Sequence, residues 1–235
     1  IAIAAGIGLL MDKELNYLDR LMENPKGPFT IVIGGAKINS KLKLIEKFLD
    51  KADNIIIGGG MAFTFLKARG KNVGGSLVDK SMVNTAKKIL NIARVKGVKC
   101  FLPTDAICGN KIDNKRHKEN FQIQEIPNEL MGMDIGPNTI QRFNNILTES
   151  NTILWNGPMG VFEAKDYESG TREMAIHLVH CLSNGSKVIV GGGDTASAIE
   201  SFGLLKEMTH VSTGGGASLE LLSGKRLEAL KVLER

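Results

Sequence analysis

The chain has 235 residues, 43% hydrophobic and 23% charged, enough to bury a sizeable core and ordinary for a globular protein. Collagen-like, disordered and disulfide-scaffold classes are excluded, and the net charge of +5, from 30 basic and 25 acidic residues, is interleaved rather than gathered. Glycine is in surplus: 27 of 235 is about 11%, against a typical ~7%.

In chain order, Ile1 to Met11 (IAIAAGIGLLM) is apolar but too short to span a bilayer. It lacks the positive n-region and cleavage site of a secretory signal. Because the chain begins at Ile inside an apolar run, it is expected to be a fragment whose first segment packs against something missing. Six short runs rich in Ile and Val then read as strands: Phe29 to Ile33, Asn54 to Ile57, Val98 to Leu102, Thr152 to Trp155, Lys187 to Val190 and Thr209 to Ser212. They do not alternate, which suits strands covered on both faces of a parallel sheet. Helical spacing marks Ser40 to Leu49, Lys80 to Lys96, Thr139 to Leu147, Thr171 to Leu182 and Thr195 to Phe202. Strands alternating with helices predict an α/β fold: a doubly wound, Rossmann-like, parallel six-stranded sheet flanked by helices.

Asp105 to Gly136 breaks the rhythm. It alternates at Phe121 to Ile126 (FQIQEI) and predicts a small hairpin excursion from the sheet. Its basic run, Lys111 to Lys118 (KIDNKRHK), holds Asp113 and reads as a solvated loop, since aromatics at 5% cannot interleave a nucleic-acid stripe. No repeat or linker divides the chain, so one domain is expected. Cys100, Cys108 and Cys181 are odd in number and lack metal-ligand spacing, so they read as reduced thiols of a cytoplasmic protein.

Glycine clusters close four of the six strands: Gly34-Gly35, Gly58 to Gly60, Gly191 to Gly193 and Gly214 to Gly216. A single such turn needs only tight geometry. Four, each expected to open a helix where α/β sheets bind ligands, predict an anion site for phosphate or nucleotide. The pattern GxxxxGK[ST] is absent, so a Walker-type NTPase is unsupported. Gly191, Gly193 and Ala196 match GxGxxA, but only Glu207 and Glu220 stand, poorly, where the ribose-binding acid is wanted. That match keeps a nicotinamide oxidoreductase as an alternative. Lys37 and Lys41, four apart, are expected to share one helix face over the anion site, or else to be solvated. Asp194 reads either as a helix N-cap or as a Mg²⁺ holder beside bound phosphates. Asn156 to Glu163 (NGPMGVFE) reads as a surface turn or as a ribose or phosphate contact.

Five motifs in order carry a resemblance: Gly34-Gly35-Ala36-Lys37 with Lys41, Gly58-Gly59-Gly60-Met61-Ala62, NGPMGVFE, GGGDT (Gly191 to Thr195) and HVSTGGGASLELL (His210 to Leu222). Together, over about Gly8 to Lys225, the chain resembles the C-terminal, nucleotide-binding domain of the phosphoglycerate kinase family. The resemblance implies that residues 1–14 are an apolar interdomain connection and 15–235 the nucleotide-binding domain. It places adenine against Gly35, Ala36, Gly58, Gly59, Leu77, Met133 and Val161, and ribose at Asn156, Pro158 and Glu163, with Gly160 in the same loop. Phosphates would meet Lys37, Lys41, Gly192, Gly193 and Thr195, with Asp194 holding Mg²⁺. The transferred phosphoryl group would pass between Lys37 and the helix N-termini at Gly193 and Gly214-Gly215.

The implied reaction moves a phosphoryl group between 1,3-bisphosphoglycerate and ADP, giving 3-phosphoglycerate and ATP, in a monomeric cytoplasmic enzyme with no nucleic-acid or membrane partner. The triose phosphate would bind through an N-terminal domain to which no residue here corresponds. The tail after Lys225 also departs from the family's pattern. The isolated chain is therefore expected to bind Mg-ADP or Mg-ATP with little or no turnover. A non-catalytic nucleotide-binding module is the other alternative.

Overall fold

The computed structural model describes residues 24–110, 118–208 and 211–212. Among the described residues nine strands follow in chain order: β1 (Phe29–Ile33), β2 (Asn54–Ile57), β3 (Lys99–Phe101), β4 (Asp105–Gly109), β5 (Glu119–Gln122), β6 (Met131–Ile135), β7 (Thr152–Asn156), β8 (Lys187–Gly191) and β9 (Val211–Ser212). Six of them form a parallel sheet in the order β3-β2-β1-β7-β8-β9. The helices are α1 (Leu42–Phe48), α2 (Met61–Ala68), α3 (Val83–Val95), α4 (Pro137–Thr148), α5 (Ser169–Ser183) and α6 (Gly193–Ser201).

The absence of alternation in the strands has its explanation in two cores. Ile31, Ile33, Ile55 and Ile57 pack on one face with Phe48 of α1, Phe65 of α2 and Ile89 of α3. Their neighbours Val32, Ile56, Ile153 and Trp155 point to the other face, with Phe143 of α4, Leu178 of α5 and Ile199 of α6. Successive strand residues face opposite ways, so a sheet covered on both sides demands apolar residues at every position. The predicted doubly wound sheet is therefore present, with β9 as a two-residue sixth strand.

The departures have local causes. Helix α2 escapes the periodicity reading because Met61 to Leu66 are all buried, leaving no polar face to mark a period. The excursion is a separate three-stranded antiparallel sheet in the order β5-β4-β6. Its strand at Phe121 to Ile126 ends early, at Gln122, where a 3₁₀ turn covers Ile123–Glu125. Gly132 and Asp134, poor strand formers, hid β6. Helix α4 begins two residues before the predicted start, with Pro137 in its first turn where the missing N–H costs nothing. All three cysteines are free, and burial pushes Cys108 up to about 12 and Cys100 and Cys181 up to about 11. Among the described residues no helix is long and apolar enough to cross a membrane.

Candidate functional site

The loops leaving β1, β2 and β7 meet at the carboxyl ends of their strands, where open α/β sheets offer a crevice. Their backbones are tied directly to one another. Gly34 N–H donates to the Asn156 carbonyl at 2.9 Å, Gly35 N–H to Pro158 at 2.8 Å, Gly59 N–H to Met159 at 3.0 Å, and Met61 N–H to Gly35 at 2.9 Å. Such approach leaves no room for side chains. A Cβ on Gly157 would run into the Gly34 carbonyl, and one on Gly34 into the Pro158 carbonyl oxygen. Gly157 also has φ +101°, a conformation L-residues with a side chain rarely adopt.

Above these loops lies a cleft of about 580 Å³. Of the seven positions expected around a base, Gly35, Ala36, Gly59, Leu77, Met133 and Val161 line it, and Gly58 does not. Gly58 sits underneath, against the Met159 sulfur. Pro158, Gly160, Glu163 and Asp194 also line the cleft. Leu77 is 52% exposed, an apolar side chain held in solvent on the cleft wall. Gly60, Met131, Gly132 and Phe162 line it too and were missed from sequence. Gly132 carried a usable signal, since glycine within an apolar strand marks a close approach; here a Cβ would strike the Phe63 ring.

The polar residues form a second group. Lys41 directs Nζ at the Asn156 side-chain oxygen, while the Asn156 Nδ2 donates to the Gly191 carbonyl at 2.8 Å. Asn156 is wholly buried, so its amide is occupied in fixing Lys41 between β7 and β8. Burial lowers the Lys41 pKa, and the nearby Asp194 carboxylate partly restores it. Thr195 is also buried, and its Oγ1 accepts the Gly157 N–H at 2.7 Å, tying α6 to the β7 loop. Gly193, Asp194 and Lys37 are exposed.

Three expectations need correction here. Lys37 and Lys41 do not share an α-helical face: Lys37 is extended and precedes a 3₁₀ turn at Ile38–Ser40, and Lys41 follows it. Nor does every glycine cluster open a helix directly. Gly60 and Gly192 are the N-caps of α2 and α6, whereas Gly34-Gly35 leads into that 3₁₀ turn. Asp194 is not an N-cap; Gly192 holds that position, and Asp194 lies in the first turn of α6. Gly214 and Gly215, the apolar segment 1–14 and the tail after Lys225 lie outside the described residues. So does the basic run, apart from Lys118.

Among the described residues no group of three or more His, Cys, Asp or Glu side chains could hold a metal ion.

The family model for phosphoglycerate kinase matches residues 2–225. The chain belongs to the phosphoglycerate kinase family. It is 48% identical over 224 residues to the phosphoglycerate kinase of Thermosipho africanus, covering 95% of this chain and 56% of that protein. With the chloroplastic enzyme of Volvox carteri it shares 46% identity, covering 97% of this chain and 49% of the relative. The solved phosphoglycerate kinase of Coxiella burnetii superposes with a TM-score of 0.90 at 39% identity, over 97% of this chain and 58% of that one. That of Pyrococcus horikoshii gives 0.76 at 29% identity, over 97% and 56%. The chain spans about half the length of the curated relatives it matches. Family membership removes the nicotinamide oxidoreductase, which rested on the GxGxxA match at Gly191, Gly193 and Ala196 alone.

Proposed function

We propose that this chain is the nucleotide-binding half of a phosphoglycerate kinase, taking Mg-ADP or Mg-ATP in the cleft at the carboxyl ends of β1, β2 and β7. The observation that carries the reading is one cleft that joins an apolar slot to an exposed carboxylate beside a partly buried lysine. Residues 15–235 act as the nucleotide domain and 1–14 as its connection to a triose-phosphate-binding half. The whole enzyme works in the cytoplasm as a monomer.

In this reading the adenine enters between Leu77, Ala36, Met133 and Val161, a slot whose walls are apolar or glycine. Pro158 and Glu163 take the ribose; Asn156, expected with them, is wholly buried with its amide engaged by Lys41 and Gly191, and so supports the site rather than touching the sugar. Lys41 reaches the phosphates from its Asn156 anchor, so the ammonium is aimed before ligand arrives. Lys37, extended and exposed, is free to follow the transferred group, and the first N–H groups of α6 at Gly193 face it. A loose phosphoryl transition state asks for positioning and donors rather than for a general base. Gly214 and Gly215 complete this catalytic set.

Magnesium fits the residues present. Asp194 is a single exposed carboxylate, and Mg²⁺ favours one or two carboxylates with phosphate oxygens over a protein cage. Bound there, the ion would neutralise charge on the β- and γ-phosphates. The reaction runs from 1,3-bisphosphoglycerate and ADP to 3-phosphoglycerate and ATP, and half a site binds without turning over.

Titration calorimetry with Mg-ADP and with NAD⁺ tests this. Binding of Mg-ADP and not NAD⁺ is expected, without detectable turnover of 1,3-bisphosphoglycerate. Binding of NAD⁺ alone, or of neither, would overturn it. Full turnover by the chain alone would overturn the half-site claim.

A further inference from the structure

Asp134 on β6 is 3% exposed and takes no part in the chemistry above. Its Oδ2 accepts the Gly170 N–H at 2.6 Å, in the first turn of α5, and its Oδ1 accepts the Ile135 N–H at 2.9 Å. A Cβ on either Gly160 or Gly170 would strike Oδ1, so two backbones lie flush against this carboxylate. Gly160 belongs to the cleft wall. The same wall is held from both of the elements that Asp134 joins. Thr171 Oγ1 of α5 accepts the Met159 N–H at 3.0 Å and the Gly160 N–H at 3.3 Å, and the Met133 carbonyl of β6 accepts the Val161 N–H at 2.9 Å.

We propose that Asp134 is a positioning residue for the cleft: its carboxylate locks the first turn of α5 to β6 and thereby fixes the Met159–Val161 wall against the ligand. The ligand-dependent part rests on the nucleotide reading; the positioning itself does not. A negative charge suits the place, because the first N–H groups of a helix are unpaired and carry partial positive charge. A neutral amide does not substitute, since it must turn its NH₂ onto one of two N–H donors. Burial nonetheless pushes the carboxyl up to about 7, against the pull of the Gly170 and Ile135 N–H groups. Lys118, just before β5, favours the charge, and Glu168, at the start of α5, opposes it.

The test compares the wild-type protein with Asp134→Asn, and with Thr171→Val in case the first variant folds poorly. Amide hydrogen exchange at Met159, Gly160 and Val161 is expected to quicken by roughly tenfold, with the amides of β7 and β8 unchanged. The Kd for Mg-ADP is expected to rise about tenfold in Asp134→Asn. Unchanged exchange, or exchange quickened equally throughout the sheet, would overturn the proposal. If the wild type does not bind Mg-ADP, the nucleotide reading fails, and the exchange result still decides whether Asp134 positions the wall.

Discussion

The two ends of the cleft are built in opposite ways. At the apolar end, the loops after β1, β2 and β7 are fastened by backbone hydrogen bonds, and their glycines touch one another. At the polar end, Lys37, Gly193 and Asp194 are exposed, and a Cβ on Gly193 would meet nothing within 4 Å. Lys41, held by Asn156, stands between the two conditions. A flat base needs a slot of fixed width, which unliganded protein must maintain by itself. A phosphate group brings its own charge and recruits donors that were hydrated until it arrived. Shape is thus set by folding, and charge is left available for binding.

The contrast can be broken at single residues. Gly157→Ala is expected to have the largest effect, a loss of about 3 kcal/mol or more of stability, because the new Cβ meets the Gly34 carbonyl at φ +101°. A thermal melt reads this, and a melting temperature near that of the wild type would show that the loops are not closely fastened. Gly193→Ala is expected to change stability by less than about 1 kcal/mol, since its Cβ points into open space at the start of α6. The Kd for Mg-ADP, measured on the same sample, is expected to rise, because the proposed function puts the phosphates in that open space. A large stability loss with unchanged affinity would reverse the roles of the two regions.

Much of this fold was legible because burial on both faces leaves a mark in composition. Phe29–Ile33 and Asn54–Ile57 are apolar at nearly every position and were read with their observed limits. Helix α3 keeps a polar face and so kept its period, whereas α2 has none and vanished into its surroundings. In the site, six of the seven positions that the family resemblance implied for the base line the cleft. Lys37 and Lys41 were misplaced for a physical reason: spacing of four implies one face only if the backbone is α-helical, and here a 3₁₀ turn intervenes. Asp134 left no trace as a site residue, since its partners are the N–H groups of Ile135 and Gly170, the second brought near only by the packing of α5 on β6.

The proposed function places a nucleoside diphosphate between Leu77 and Val161 with its phosphates at the start of α6. Backbone amide NMR of the protein titrated with Mg-ADP tests it most directly. Saturable shifts are predicted at Ala36, Leu77, Gly132 and Val161 together with Gly193. Shifts confined to another surface, such as the groove by Arg172 and Phe202, or no shifts at millimolar Mg-ADP, would contradict it.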